Sequence, residues 1–190
     1  MATMTEKLRN IALIGHGGSG KTTLAEVLLH NAGVTKRLGS VDEGNSVMDF
    51  EPEELKRRSS ISCAFHPFEW KKTKVNLIDT PGDQNFFSDT RMGMQAADAA
   101  LVVTDAVDGV KVQSEQAWEF AEEFGIPVMI YINKVDRERA DFYKAFADAK
   151  EIFEPKPILL QLPIGKEDSF SGIVDLLSMK AITFSDGKPS

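Results

Sequence analysis

The glycine-rich segment at residues 15–22 carries the clearest chemistry in the sequence. It reads Gly15-His16-Gly17-Gly18-Ser19-Gly20-Lys21-Thr22 and matches the pattern GxxxxGK[ST], in which a loop between a strand and a helix binds phosphate. Glycines permit backbone conformations in which successive N–H groups surround phosphate oxygens at the start of a helix. Lys21 would add a positive charge to the β- and γ-phosphates, and the Thr22 hydroxyl would ligate Mg²⁺. The pattern therefore predicts a nucleoside triphosphate site, with these contact residues: His16, Gly17, Gly18, Ser19, Gly20, Lys21, Thr22 and Thr23.

A second polar segment follows an apolar run later in the chain. Asn133-Lys134-Val135-Asp136 comes directly after residues 128–132 and resembles the NKxD motif of the GTPase class. A carboxylate at Asp136 can accept from both N1–H and the exocyclic amine of guanine, whereas adenine offers no such pair of donors. The Lys134 stem would lie along the base. We therefore expect Asn133, Lys134 and Asp136 to form a guanine-binding loop.

A third motif lies between these two. Asp79-Thr80-Pro81-Gly82 follows the apolar residues 75–78 and resembles the DxxG motif of the same class. In that motif the aspartate reaches Mg²⁺ through water, and the glycine N–H contacts the γ-phosphate. The same four residues are also typical of an ordinary turn. The order of the three motifs favours the functional interpretation, with Asp79 and Gly82 in the site.

The composition is acidic and contains enough apolar residues for one core. The chain has 190 residues, a formal net charge of −7, 42% hydrophobic residues and one cysteine, which is enough for one α/β core. A lone cysteine excludes an internal disulfide framework and favours a reducing, cytoplasmic location. Residues 1–10 lack the apolar centre of a signal peptide, and no apolar run approaches membrane-spanning length. The negative charge argues against a direct electrostatic grip on nucleic acid by this segment.

Strand-like and helix-like segments alternate along the chain. This alternation predicts a mostly parallel sheet with helices on both faces, and a hairpin at residues 65–75 predicts one antiparallel edge strand. The predicted strands lie near residues 9–14, 60–69, 74–79, 99–104, 127–132 and 157–163. The predicted helices lie near residues 21–31, 87–97, 112–124 and 138–153. Phe120 and Phe124 follow helical spacing and are expected in the core rather than in a site.

With these residues in view, the sequence resembles the N-terminal GTP-binding domain of the bacterial translation elongation factor G family. Residues 49–62 look like the family's switch I segment, and residues 160–165 and 172–176 look like the region after its guanine motif. The resemblance implies a Ras-like phosphate-loop GTPase fold, Mg²⁺ as cofactor, GTP and GDP as substrate and product, and the ribosome as a partner through the full-length protein. It does not imply a membrane partner.

The same resemblance suggests how the chain is divided. It implies a GTP-binding domain at residues 1–155 and the start of an inserted subdomain at residues 156–190. The family's last guanine-contacting loop has no match here. The GTP-binding domain is therefore expected to be C-terminally truncated, without its last strand and helix.

The switch I segment departs from the family at its metal ligand. The family usually has a threonine whose hydroxyl ligates Mg²⁺ in the GTP state, and by alignment that position is Ser60. The implied metal set is Thr22, Ser60 and Asp79. Ser59 and Ser62 are alternatives to Ser60, and a further alternative is that all three are ordinary strand-edge serines.

Two further departures concern hydrolysis. Gly18 stands where the family often has an aspartate, and Asp83 stands where the family places a histidine that orients the attacking water. Asp83 can be read as an exposed turn residue, as a charge that compensates for Gly18, or as an acceptor that positions water. Gln84 is a rival for that last role, and the candidate catalytic residues are Asp83, Gln84 and Lys21. The leading hypothesis is Mg²⁺-dependent GTP hydrolysis, and the alternative is a ribosome-associated switch that hydrolyses GTP very slowly.

Overall fold

The computed structural model describes residues 5–185 and 188–189. Its helices are α1 (Lys21–Asn31), α2 (Pro52–Arg57), α3 (Phe87–Gln95), α4 (Val112–Phe124) and α5 (Phe142–Ile152). Its strands are β1 (Leu8–Ile14), β2 (Ala64–Trp70), β3 (Thr73–Asp79), β4 (Ala99–Asp105), β5 (Val128–Asn133), β6 (Gln161–Ile164), β7 (Gly172–Asp175), β8 (Lys180–Ser185) and β9 (Lys188–Pro189). Short 3₁₀ turns lie at Thr5–Lys7, Gln84–Phe86 and Glu167–Ser169.

Among the described residues, five strands form one sheet in the order β2-β3-β1-β4-β5. Strand β1 pairs in parallel with both β3 and β4, while β2 pairs antiparallel with β3 at one edge. The β2–β3 hairpin turns at Lys71 and Lys72, which both take positive φ values (47° and 65°) as a tight hairpin turn requires. The predicted mostly parallel sheet with an antiparallel edge strand is confirmed.

Helices cover both faces of this sheet. Leu13 of β1 packs in one cluster with Leu29 of α1, whereas Ala12 packs in a second cluster with Met94 of α3 and Ala117 of α4. Successive side chains of a strand point to opposite faces, so α1 lies on one face and α3 and α4 lie on the other. The aromatic residues of α4 pack against the second cluster, as predicted.

Several predicted boundaries are wrong for identifiable reasons. The strand predicted from residue 60 begins at Ala64, because the backbone N–H groups of Ile61 and Ser62 donate to the Glu54 carboxylate instead of a neighbouring strand. The helix predicted from residue 138 begins at Phe142, because the Asp141 side chain caps it by accepting from Lys144 N at 2.9 Å. Helix α2 was not predicted.

A second sheet of antiparallel strands in the order β6-β7-β8-β9 occupies the end of the described chain. The strand predicted at 157–163 is wrong for residues 157–160, since β6 begins at Gln161. Strands β7, β8 and β9 were not predicted.

Contacts divide the chain into two compact units. One unit contains the chain up to Val103 together with Lys111–Tyr131, and the other contains Thr104–Val110 together with the chain from Ile132. The domain boundary at residue 155 stays a prediction. Among the described residues, no helix is long and apolar enough to cross a membrane.

Candidate nucleotide-binding site

The glycine-rich loop connects the end of β1 to the start of α1. Gly15, Gly18 and Gly20 take positive φ values of 132°, 80° and 99°, and Gly20 caps the N-terminus of α1. A Cβ atom on Gly15 would collide with the Val103 carbonyl oxygen. The loop therefore depends on glycine both for its backbone angles and for its close approach to β4, and it leaves the first N–H groups of α1 available to an anion.

The predicted γ-phosphate motif, Asp79-Thr80-Pro81-Gly82, lies beside the glycine-rich loop. Strand β3 runs parallel to β1, so the segment after Asp79 emerges at the same edge of the sheet as the glycine-rich loop. Gly17 N donates to Gly82 O at 3.0 Å, which ties the two loops together. A Cβ atom on Gly82 would lie 2.5 Å from Gly17 N and 2.6 Å from His16 C. This contact brings two predicted phosphate-binding segments together.

Lys21 folds back over the glycine-rich loop. Its Nζ atom donates to Gly15 O at 3.0 Å and to His16 O at 2.9 Å, and its side chain is buried. Burial lowers the pKa of the Lys21 ammonium to about 8, against the attraction of Asp79 and Asp49. The group is still mostly charged at neutral pH, and it is held where the motif predicts the β- and γ-phosphates.

The structure distinguishes among the three candidate serines of switch I. Ser60 Oγ lies 3.2 Å from Thr22 Oγ1 and donates to Asp49 Oδ1 at 2.7 Å. Ser62, in contrast, is held through its backbone N–H by Glu54. Of the three, Ser60 is the one whose hydroxyl contacts the predicted metal ligand of the phosphate loop.

Two buried carboxylates close to these hydroxyls have incomplete hydrogen bonding. Both Asp79 oxygens and Asp49 Oδ2 are buried, and no hydrogen bond of good geometry reaches them from the described residues. Burial raises the pKa of Asp79 to about 7, against the Lys21 charge and the Thr22 hydroxyl, and burial also raises the pKa of Asp49. A divalent cation would compensate these oxygens, and Mg²⁺ prefers an all-oxygen donor set. The residues present therefore fit Mg²⁺.

Asp83 and Gln84 are exposed at the start of the 3₁₀ turn that follows Gly82. Asp83 Oδ1 accepts from Asn85 N at 2.9 Å and from Asn85 Nδ2 at 2.8 Å. The carboxylate therefore caps the turn. This geometry agrees with the interpretation of Asp83 as an exposed turn residue.

The predicted guanine loop is built at the end of β5. Lys134 takes a positive φ of 57°, and its Nζ atom forms an ion pair with the buried Asp105 at 3.1 Å. The backbone is held by Ala106 N, which donates to Asn133 O at 2.9 Å. Asp136 is exposed, so its carboxylate is accessible to a base.

Sequence reasoning missed two acidic residues that hold these loops. Asp49 lies in the predicted switch I segment, and its contact with Ser60 does not follow from any motif in the sequence. Asp105 is the last residue of β4, and its contact with Lys134 was not predicted. The available signal for Asp105 was its position at the carboxyl end of a strand, where ligand-binding residues of α/β sheets collect.

The fold and the glycine-rich loop define a phosphate-loop nucleotide-binding protein. The chain belongs to the family described as the elongation factor Tu GTP-binding domain, which matches residues 6–186. It is 42% identical over 183 residues to elongation factor G of Granulibacter bethesdensis, a match that covers 96% of this chain and 26% of that protein. It is 39% identical over 178 residues to elongation factor G 2 of Borreliella burgdorferi, covering 94% of this chain and 27% of that one.

A solved structure agrees with these sequence similarities. A crystal structure of a protein from Thermus thermophilus superimposes with a TM-score of 0.89 at 37% identity, over 96% of this chain and 27% of that chain. The predicted resemblance to elongation factor G and the predicted GTPase fold are confirmed. The chain spans about a quarter of the length of the relatives it matches.

Proposed function

We propose that this chain is the GTP-binding domain of a ribosome-dependent, elongation factor G-like GTPase that acts in the cytoplasm. One observation carries the proposal: three buried carboxylate oxygens of Asp79 and Asp49 lack a well-formed hydrogen bond, and these residues interact with Thr22, Ser60 and Lys21. A cluster of this kind fits a magnesium-bound triphosphate. The relatives' names extend the proposal to translation, either in translocation or in ribosome recycling.

The proposal assigns each loop to one part of GTP. Backbone N–H groups of the glycine-rich loop and of Gly82 bind phosphate oxygens, and Lys21 adds its charge to the β- and γ-phosphates. The Asp136 carboxylate accepts from guanine, while Asn133 and Lys134 shape the base-binding loop. The nucleotide-binding set is His16, Gly17, Gly18, Ser19, Gly20, Lys21, Thr22, Thr23, Gly82, Asn133, Lys134 and Asp136.

The reaction is direct attack of water on the γ-phosphorus, which breaks the bond to the β–γ bridging oxygen and leaves GDP and phosphate. Thr22, Ser60 and Asp79 would hold Mg²⁺, which supplies neutralising positive charge when bound. Lys21 stabilises negative charge that develops on the phosphates. Asp83 or Gln84 orients the water, since both lie directly after the γ-phosphate-binding Gly82.

The hydrogen bonds that Asp83 makes as a turn cap favour a second candidate function. Its carboxylate already accepts two hydrogen bonds from Asn85, and it carries like charge to the triphosphate. A domain with this residue in place of the family's histidine would change conformation with GTP but hydrolyse it slowly. In this alternative the protein is a ribosome-associated switch.

Single-turnover GTP hydrolysis by the full-length protein, with and without ribosomes, separates the two functions. Ribosome-stimulated hydrolysis supports the enzyme, and tight GTP binding without stimulated hydrolysis supports the switch. Asp83→Asn keeps an oxygen that can cap the turn while it removes the charge, and it should raise the rate if like-charge repulsion slows the reaction. Asp168→Asn, in another exposed 3₁₀ turn, is the matched control. Failure to bind any guanine nucleotide would refute both functions.

A further inference from the structure

A fully buried glutamate on α1, Glu26, accepts hydrogen bonds from residues 46–48, which directly precede the predicted switch I segment. Glu26 Oε1 accepts from Ser46 Oγ and from Val47 N, both at 2.6 Å. Glu26 Oε2 is buried without a hydrogen-bond partner, and a Cβ atom on Gly39 would collide with it. Burying a carboxylate lowers the stability of the folded protein unless hydrogen-bond donors compensate the charge. At Glu26 these donors come from residues 46–48, which are thereby held against α1.

The hydrogen bonds continue from this glutamate to the switch serine. Ser46 Oγ accepts from Asp49 N at 3.2 Å, and Asp49 Oδ1 accepts from Ser60 Oγ at 2.7 Å. Ser60 Oγ in turn lies 3.2 Å from Thr22 Oγ1. The Ser60 hydroxyl donates to Asp49, so its oxygen can act only as an acceptor on the side of Thr22.

These contacts form a closed ring, because its first member, Glu26, and its last member, Thr22, both lie on α1. Thr22 and Glu26 are four residues apart, so they lie one above the other on the same face of the helix. The ring therefore fixes Ser60 to the helix that begins at the phosphate loop. With its proton directed at Asp49, Ser60 Oγ keeps its lone pairs for a donor or a metal ion on the side of Thr22.

We propose that Glu26 is a positioning residue for Ser60 and sets the protein's preference for GTP over GDP. Glu26 acts through Ser46 and Asp49, which orient the Ser60 hydroxyl as a metal ligand of the GTP state. This inference rests on the proposed function, in which Ser60 meets the metal only when the γ-phosphate is bound. Loss of Glu26 would leave Ser60 without its orientation, while the phosphate loop that holds GDP stays intact.

The test compares affinities of the full-length protein for GDP and for a non-hydrolysable GTP analogue, both with Mg²⁺. Glu26→Ala should weaken binding of the GTP analogue by about tenfold or more, as expected for losing a charged hydrogen bond, and should change GDP binding less than about twofold. Glu26→Gln retains an amide oxygen that can accept from Ser46 and should keep most of the affinity. Glu53→Ala, an exposed glutamate of α2, is the matched control and should change neither affinity.

A double-mutant cycle with Ser60→Ala separates positioning from general stabilisation. If Glu26 acts through Ser60, then adding Glu26→Ala to Ser60→Ala should not change the ratio of the two affinities further. Additive effects, or equal losses for GDP and the GTP analogue, would overturn the inference. Where Glu26→Ala does not fold, Ser46→Ala interrupts the ring at its next member and is expected to give the same selective loss. If the unsubstituted protein binds neither nucleotide, the proposed function itself fails.

Discussion

Replacing Gly82 by alanine should damage the phosphate site before any nucleotide is bound. The added Cβ would lie 2.5 Å from Gly17 N and 2.6 Å from His16 C, and backbone atoms cannot move aside as a flexible side chain can. Overpacking of this kind costs about 1–3 kcal/mol. The hydrogen bond from Gly17 N to Gly82 O would also be strained, which adds about 1 kcal/mol. We expect a loss of about 2–4 kcal/mol, or about 5–15 °C in melting temperature.

Thermal unfolding of the nucleotide-free protein, followed by circular dichroism, measures this loss. Gly17→Ala is the matched control on the other side of the same contact. A Cβ on Gly17 would lie 3.7 Å from Gly82 O, which is an ordinary van der Waals distance, and Gly17 does not have a positive φ. Gly17→Ala should therefore leave stability unchanged or slightly raised. Equal destabilisation by the two substitutions would refute the collision argument.

Three further outcomes are expected. Asp136→Asn should weaken GTP binding by at least about tenfold and favour xanthine nucleotides, since a charged acceptor of two guanine donors is lost. Calorimetry tests the guanine assignment, and equal binding of ATP and GTP by the unsubstituted protein would contradict it. Thr22→Ala should weaken Mg²⁺-supported binding of GDP and GTP alike, whereas Ser60→Ala should weaken GTP binding alone; the same effect on GDP would exclude Ser60 as the switch ligand. The Cys63 thiol should react with an aromatic disulfide reagent at pH 8 at least about tenfold more slowly than an exposed thiol, because the thiolate fraction falls by more than the thiolate's nucleophilicity rises. Burial, and then the Asp89 carboxylate, raise the Cys63 pKa to about 12 and so lower the fraction of thiolate. The urea-unfolded protein is the control. Equally fast reaction of the folded and unfolded protein would contradict the burial of Cys63.

Much of the fold was predictable because its signals are local. The β2–β3 hairpin was predicted at residues 65–75, and the structure places its turn at Lys71 and Lys72. The end of α4 at Gly125 follows from a left-handed cap that glycine adopts without strain. The glycine-rich loop is contiguous in sequence, so its spacing alone determines which residues can surround a phosphate.

The antiparallel sheet near the end of the chain was not predictable in the same way. Strands β6, β7 and β8 have four to six residues each, and each is stabilised by pairing with its neighbours. Short segments of this kind carry too little periodicity to be recognised one at a time. Their pairing partners decide whether they become strands.

The phosphate and guanine motifs, the order of the main elements and the family could all be predicted from the amino-acid sequence. The contact of Ser60, rather than Ser59 or Ser62, with Thr22 became visible only in three dimensions, since Thr22 and Ser60 are 38 positions apart in the sequence. The tertiary structure also decided that Asp49 holds Ser60 and that Glu26 is buried against the loop before switch I. Residue type and spacing specify contacts within a loop or one helical turn, whereas contacts across a long connection depend on how the connection packs, which no local pattern in the sequence encodes.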